Sequence, residues 1–239
     1  MNPDVYSRMG DIEDRHWWFT VRRRMIVEAI ARRVQGPQKI LDVGCGTGAL
    51  SAALQSMGEV LAVDSEPLAL ARTQSRGITT APLEEISANP RAEFDVVCLF
   101  DVLEHIEDDE KALAHWVSHV KPGGLVAITV PAFMIFWGGH DVASGHHRRY
   151  NKKSLLKLMS TCGIVPLETS YFNFILSPLV LGSRILERIT GHQAAHGDLY
   201  LPPPAVNRAL ELLFSAEIPF VRRHRAPFGV SLLALGRRP

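Results

Sequence analysis

Three glycines at alternate positions, Gly44, Gly46 and Gly48, follow a short apolar run from Lys39 to Val43 and precede a stretch of helical composition from Ala49 to Met57. Such a loop lets the backbone come close to a ligand, because glycine lacks a Cβ, and the following helix start offers free amide groups. A second apolar run, Glu59 to Val63, ends in Asp64. A carboxylate there can accept hydrogen bonds from both hydroxyls of a ribose. It can also cap the helix that starts near Pro67, and the two roles are compatible. The sequence therefore points to a pocket for a nucleoside.

The charge of that nucleoside is set by the loop. Asp42 lies inside the end of the first strand, where its carboxylate would repel a pyrophosphate and suit a cationic sulfonium or ammonium group. Gly44-Cys45-Gly46-Thr47-Gly48 also lacks the last interval of the dinucleotide pattern G-x-G-x-x-G. These features favour S-adenosylmethionine over a nicotinamide dinucleotide. A nicotinamide-dependent oxidoreductase and a non-catalytic cofactor-binding protein remain the alternatives.

On the acceptor side, the histidines are the groups able to move protons near neutral pH. His105 follows the fourth strand and is a candidate general base, or else a cap on the pocket. His140 and His146 belong to the segment Gly139 to Tyr150, which follows the fifth strand with Asp141, His147, Arg148 and Arg149. A general base or an Arg-Arg clamp on an anionic acceptor is expected there. No metal site is expected, because no second set of matched ligands accompanies the cluster. His115, His119, His192, His196 and His224 are expected at the surface.

These groups are positioned by an alternation of strands and helices. Strands are expected at residues 39–43, 59–63, 78–81, 94–100, 125–130, 164–171 and 229–235, with helices between them. Lys121-Pro-Gly-Gly124 is read as a turn after a helix running from Asp108 to Val120. Asn151 is an N-cap for a helix reaching Cys162, and Gly163 is its C′ residue. The expected fold is α/β: a Rossmann-like, mostly parallel seven-stranded sheet with helices on both faces and the last strand antiparallel. Residues 1–36 form a helical cap and 174–225 a helical insertion of two helices, all within one domain covering 1–239.

Composition narrows the function further. Lys plus Arg number 26 and Asp plus Glu 25, so no global field draws the chain to nucleic acid. Three separated cysteines and an acidic start without an apolar core suit a cytoplasmic protein. The apolar run Phe174 to Leu181 is interrupted by Pro178 and is too short to span a bilayer. The second insertion helix places Val206, Ala209, Leu210, Leu213 and Glu217 at helical spacing beside Arg222, Arg223 and Arg225, which suits peripheral contact with an anionic lipid surface.

Taken together, Leu41 to Gly48, Phe94-Asp-Val-Val97, Asp101-Val-Leu-Glu-His-Ile106 and Lys121-Pro-Gly-Gly124 closely resemble class I S-adenosylmethionine-dependent methyltransferases of the ubiquinone-biosynthesis-like group (methyltransferase types 11 and 12). The segments His16-Trp-Trp-Phe19 and Gly139 to Tyr150 are similar to a bacterial subgroup associated with lipid or surface-glycan synthesis. The resemblance implies that Asp42, Gly44, Cys45 and Gly46 contact the methionine part of the cofactor and Asp64 with Ser65 the ribose. It places Phe100 against the cofactor and Asp101 to His105 in the wall beside the methyl group. The family's acid after the third strand is replaced by Pro82, leaving Leu83 and Glu84 for adenine. Arg22 or Arg23 offers a planar fork to the cofactor carboxylate, with Arg23 taken as the candidate. The implied reaction is methyl transfer to a small-molecule or lipid-linked acceptor, yielding S-adenosylhomocysteine.

Overall fold

The computed structural model describes residues 3–190 and 200–239. Two helices, α1 (Pro3–Ile12) and α2 (Trp17–Ala31), precede the sheet. The chain then runs through β1 (Gln38–Val43), α3 (Ala49–Leu54), β2 (Gly58–Asp64), α4 (Pro67–Ser75), β3 (Thr79–Pro82), α5 (Leu83–Ser87) and β4 (Phe94–Phe100). It continues with α6 (Asp109–Val117), β5 (Val120–Pro131), α7 (Gly139–Ser144), α8 (Lys152–Thr161) and β6 (Val165–Phe172). Three helices, α9 (Ser177–Thr190), α10 (Pro204–Ser215) and α11 (Ile218–Arg222), come before β7 (Ser231–Arg237).

The strands form one sheet in the order β3-β2-β1-β4-β5-β7-β6. Pairing is parallel from β3 to β5, and β7 runs antiparallel to both of its neighbours. The central strands are buried on both faces: every residue of β4 except Asp95 is buried, as an apolar run without alternation requires. Helices cover each face over two apolar clusters, one including Leu41, Leu99 and Leu155, the other Ile30, Ile40 and Phe214. Strand order reverses between β1 and β4. In open α/β sheets the ligand crevice lies at the carboxyl ends of the strands at such a reversal.

The expected N-cap is present: Asn151 Oδ1 accepts from the Ser154 amide at 2.9 Å, and Gly163 follows the helix with φ +75°. Several details differ from expectation, and β7 in particular begins at Ser231 rather than Gly229. The helix begun at Asp109 stops at Val117, and Val120 already pairs with Phe94. Lys121 to Gly124 is therefore an irregularity inside β5 rather than a turn before it, with the register shifting between Phe94 and Val96. The insertion has three described helices, not two. Glu217 is not on an apolar stripe of α10; it is buried beyond the helix end and accepts the amides of Phe174 and Ile175 at 3.0 and 2.7 Å. Leu210 and Phe214 face inward while Val206, Leu212 and Leu213 are exposed, so the apolar stripe is rotated from the one expected.

The aromatic segment near the N-terminus is packing. His16 caps α2, its Nδ1 accepting from the Trp18 amide at 3.2 Å. Trp18 stacks on Phe214, with ring centroids 5.2 Å apart and planes 5° from parallel, and on Phe172 at 5.9 Å. Asn207 of α10 accepts from the Trp17 amide and donates to the Arg15 carbonyl. The cap and the insertion are thus clamped together. No helix among the described residues is long and apolar enough to cross a membrane.

Candidate functional site

The glycine loop sits at the carboxyl end of β1. Gly48 has φ +83° and Gly44 φ +71°, conformations that favour glycine. Space imposes the same choice, since a Cβ on Gly48 would lie 2.9 Å from the Thr73 Cα and one on Gly44 2.7 Å from Val102 Cγ2. The loop is thereby pressed between α4 and the segment after β4.

Two buried carboxylates flank this loop, and Asp64 holds it. Asp64 Oδ2 accepts from the Gly46 amide and Oδ1 from the Glu66 amide, both at 2.9 Å. Burial raises its pKa and these amides lower it, for a net rise. Asp42 is fully buried and accepts from Ser51 Oγ at 2.6 Å. Burial pushes its pKa up to about 6, against the pull of Ser51 and Arg22. Burial likewise pushes the Cys45 thiol up, leaving it protonated and unreactive at neutral pH.

Helix α1 lies over the loop. Burial and the nearby Asp64, Glu66 and Cys45 push Tyr6 up to about 12, and Met9 Cε lies 3.1 Å from where a Gly46 Cβ would be. Glu13 and Asp14 pair with Arg76 at 2.7 and 3.0 Å, tying the cap to the end of α4. Sequence reasoning had no signal for this cover beyond the helical composition of the segment.

Arg22, not Arg23, reaches the central crevice. Its Nη2 donates to Asp101 Oδ2 at 2.7 Å and to Thr129 Oγ1 at 2.8 Å. Arg23 turns to the Glu13 carbonyl and Asp14 instead. Asp101 has φ +56° and donates its amide to the Thr129 carbonyl. Phe100 is buried at the end of β4, Ser65 is exposed after β2, and Leu83 and Glu84 open α5, with Leu83 packed on the core and Glu84 exposed.

The turn after β4 and helix α7 come together, as the order of strands predicts. The rings of His105 and His146 are 4.6 Å apart and edge to face, and His140 lies 5.9 Å from His146. His146 Nδ1 is 2.8 Å from Asp141 Oδ1. Arg149 donates to both oxygens of that carboxylate, and the Gly138 amide adds a fourth bond. Burial opposes ionisation of Asp141, but His146 and Arg149 hold it well below the usual carboxylate range. Arg148 holds Asp109 at 3.0 Å and the Glu107 carbonyl. Both guanidinium groups are therefore committed inside the protein, and the expected Arg-Arg clamp on an acceptor is not formed.

Burial and the adjacent His146 push His105 down to about 4, while a bond from its ring to the Ser144 backbone opposes this. Glu104 is fully buried, and neither carboxylate oxygen has a hydrogen-bond partner. Burial and Asp101 raise its pKa well above the ordinary value. The sequence places Glu104 only within the Asp101 to His105 wall implied by the resemblance, with no role of its own, because burial leaves no mark in sequence. Of the other histidines, His119 is buried rather than exposed, and His192 and His196 lie outside the described residues. A cavity of about 390 Å³ lined by Arg33, Gln38, Asp95, Lys121 and Arg237 lies at the opposite ends of the parallel strands and contains none of these candidates.

The chain is similar to known proteins in sequence and in fold. A "probable S-adenosylmethionine-dependent methyltransferase" of Mycolicibacterium smegmatis is 26% identical over 159 residues, 64% of this chain and 61% of its own. A ubiquinone biosynthesis O-methyltransferase of Bordetella avium is 30% identical over 42% of this chain and 45% of its own. The chain thus spans about three fifths or less of the length of these relatives. Among solved structures, an S-adenosylmethionine dependent methyltransferase from Mesorhizobium loti superposes with a TM-score of 0.59 at 17% identity, covering 95% of this chain and 100% of that one. The N-methyltransferase NodS from Bradyrhizobium japonicum, in complex with S-adenosylhomocysteine, gives 0.56 at 17% identity over 95% and 90%. The family model described as "Methyltransferase domain" matches residues 17–168, from the first turn of α2 into β6. The chain belongs to that family, the Rossmann-like class I S-adenosylmethionine-dependent methyltransferases.

Proposed function

We propose that this chain, acting as one domain, transfers the methyl group of S-adenosylmethionine to a small-molecule acceptor. The observation that carries the reading is the pair of buried carboxylates, Asp42 and Asp64, flanking a left-handed glycine loop where strand order reverses. In this reading Asp64 takes the ribose hydroxyls and Asp42 favours the cationic methionine part, with Leu83 beside the adenine. Arg22 and Asp101 form the wall next to the sulfonium. The acceptor atom forms a bond to the methyl carbon as the carbon–sulfur bond breaks, and the electron pair stays on sulfur. Much of the acceleration comes from holding the two reactants in line. His105, His140 and His146 face the acceptor. A neutral imidazole with pKa near 4 is a weak proton acceptor, so His105 serves better as a positioning group than as a general base.

Calorimetry with S-adenosylhomocysteine and with NADH tests the cofactor. Heat with the first and none with the second is expected; the reverse would install the oxidoreductase alternative, and cofactor binding without transfer to any acceptor would favour a non-catalytic binder. The finer reading is an acceptor of the ubiquinone-like or lipid-linked kind. It draws support from exposed apolar side chains on the insertion, including Leu186, Ile189 and Leu212 at 60, 77 and 55% exposure, and from the arginines at 222, 223 and 225. A transfer screen with labelled cofactor, including quinone precursors and polyprenyl-linked sugars, identifies the acceptor.

A further inference from the structure

We propose that Glu104, His105 and His146 form a binding site for a divalent transition-metal ion of the zinc class. Their ligand atoms all lie within 4.8 Å of one another. Around an ion with bonds of about 2.1 Å, ligand atoms stand about 3.0–3.5 Å apart, so closure by roughly 1–2 Å completes the site. Two histidines and one carboxylate are a set that binds zinc with coordination positions left open.

Two independent observations point to an ion rather than to ordinary packing. Glu104 is fully buried with both carboxylate oxygens unpartnered. A buried carboxyl without any partner is costly, and a cation would supply the missing one. Each histidine is also oriented from behind. His146 bonds to Asp141 through Nδ1, which leaves Nε2 outside that bond, and Arg149 locks that carboxylate in turn. The His105 ring bonds to the Ser144 backbone. Metal-binding histidines characteristically place their second nitrogen on a carboxylate or a backbone carbonyl, and both forms are present here.

The site adjoins the glycine loop, because Val102, two residues before Glu104, packs against Gly44. A hydroxyl or carboxylate oxygen of the acceptor would fill an open coordination position. This acceptor role rests on the methyltransferase reading; binding of the ion does not.

The test is titration of metal-stripped, folded protein with Co²⁺ and Zn²⁺ in the absence of cofactor, followed by visible absorption, calorimetry and thermal unfolding. One Co²⁺ per chain with d–d bands displaced by Zn²⁺, together with a rise in Tm on metal addition, is expected. Glu104→Gln and His146→Ala should each weaken Co²⁺ binding at least tenfold, whereas His224→Ala should not. Absence of binding to wild type at 100-fold excess metal, or equal binding by the wild type and both site variants, would overturn the proposal. The wild-type titration decides the matter even where a variant fails to fold. Binding of S-adenosylhomocysteine by the stripped protein is measured separately, so loss of the metal site and loss of the methyltransferase reading are distinguishable.

Discussion

Arg22 and Asp101, separated by 79 positions in the chain, meet at 2.7 Å, with Thr129 Oγ1 bonded to both side chains. This triangle joins α2 to the ends of β4 and β5 and fixes a non-glycine residue at positive φ. Arg22→Met should remove the partner of Asp101 and lower stability by about 1–2 kcal/mol, below the range for a fully buried pair because Asp101 is 41% exposed. It should also weaken S-adenosylhomocysteine binding. Unchanged values in chemical denaturation and calorimetry would remove Arg22 from the site.

Cofactor binding should depend on the loop and its carboxylate. Gly46→Val is expected to abolish the calorimetric signal for S-adenosylhomocysteine, both through its φ of +57° and through collision with Met9. Asp64→Ala should weaken binding by about 1–3 kcal/mol. Affinity within twofold of wild type in both variants would place the nucleoside elsewhere.

Asp42 makes stability depend on pH. Its native pKa of about 6 lies above the ordinary 3.8, so the folded state keeps the proton over a range where the unfolded state has lost it. As pH rises from about 4 to about 6, stability therefore falls, by up to about 3 kcal/mol from this group. Above that window the cost is constant. The difference in unfolding free energy between wild type and Asp42→Asn should change across pH 4–7; a flat difference would show that Asp42 ionises normally.

The acceptor-side histidine and its support should separate in kinetics. His146→Ala is expected to reduce turnover while leaving cofactor affinity nearly unchanged, and a tenfold loss of cofactor affinity would contradict the assignment. Asp141→Asn strips the buried charge from Arg149 and His146, so it should cost about 3–5 kcal/mol and lower the Tm as well. A stable, fully active Asp141→Asn enzyme would show that this cluster supports neither fold nor site.

The insertion offers a test of lipid contact. Co-sedimentation with anionic vesicles should be detectable at low salt, fall at high salt, and weaken when Arg222, Arg223 and Arg225 are changed to Ser. Arg222 already pairs with Glu28 at 2.6 Å, so the effect should come mainly from the other two. Equal absence of binding in every condition would leave the exposed apolar face without a lipid role.

The sheet was legible because its information is local. β4 was read to the residue from Phe94 to Phe100, since a seven-residue, β-branched and aromatic stretch interrupted only by Asp95 is too short for a buried helix. The glycines and Asp64 were legible for the same reason: loop chemistry and strand end are neighbours in the chain. What escaped depends on distant partners. Arg22 and Arg23 are indistinguishable until helix phase against β5 is known, and Trp18 shows its role only opposite Phe214. Glu104 needed a measure of burial, because a carboxylate beside a histidine carries no mark in sequence of whether water reaches it. The face of α10 was misjudged because its inward residues are chosen by the aromatic clamp rather than by the widest apolar stripe.

The position of β7 between β5 and β6 has a consequence for how the molecule is made. Synthesis delivers β5 and β6 more than fifty residues before the strand that joins them, so β5 keeps an open edge and β6 has no strand partner while the insertion emerges. The methyltransferase core from β1 to β5 can assemble from parallel neighbours as they appear, but β6 can dock only when β7 wedges into place. Such late, long-range closure slows folding and leaves pairing edges available to other chains. Ribosome-bound chains lacking residues 231–237 should therefore be the species most in need of a chaperone.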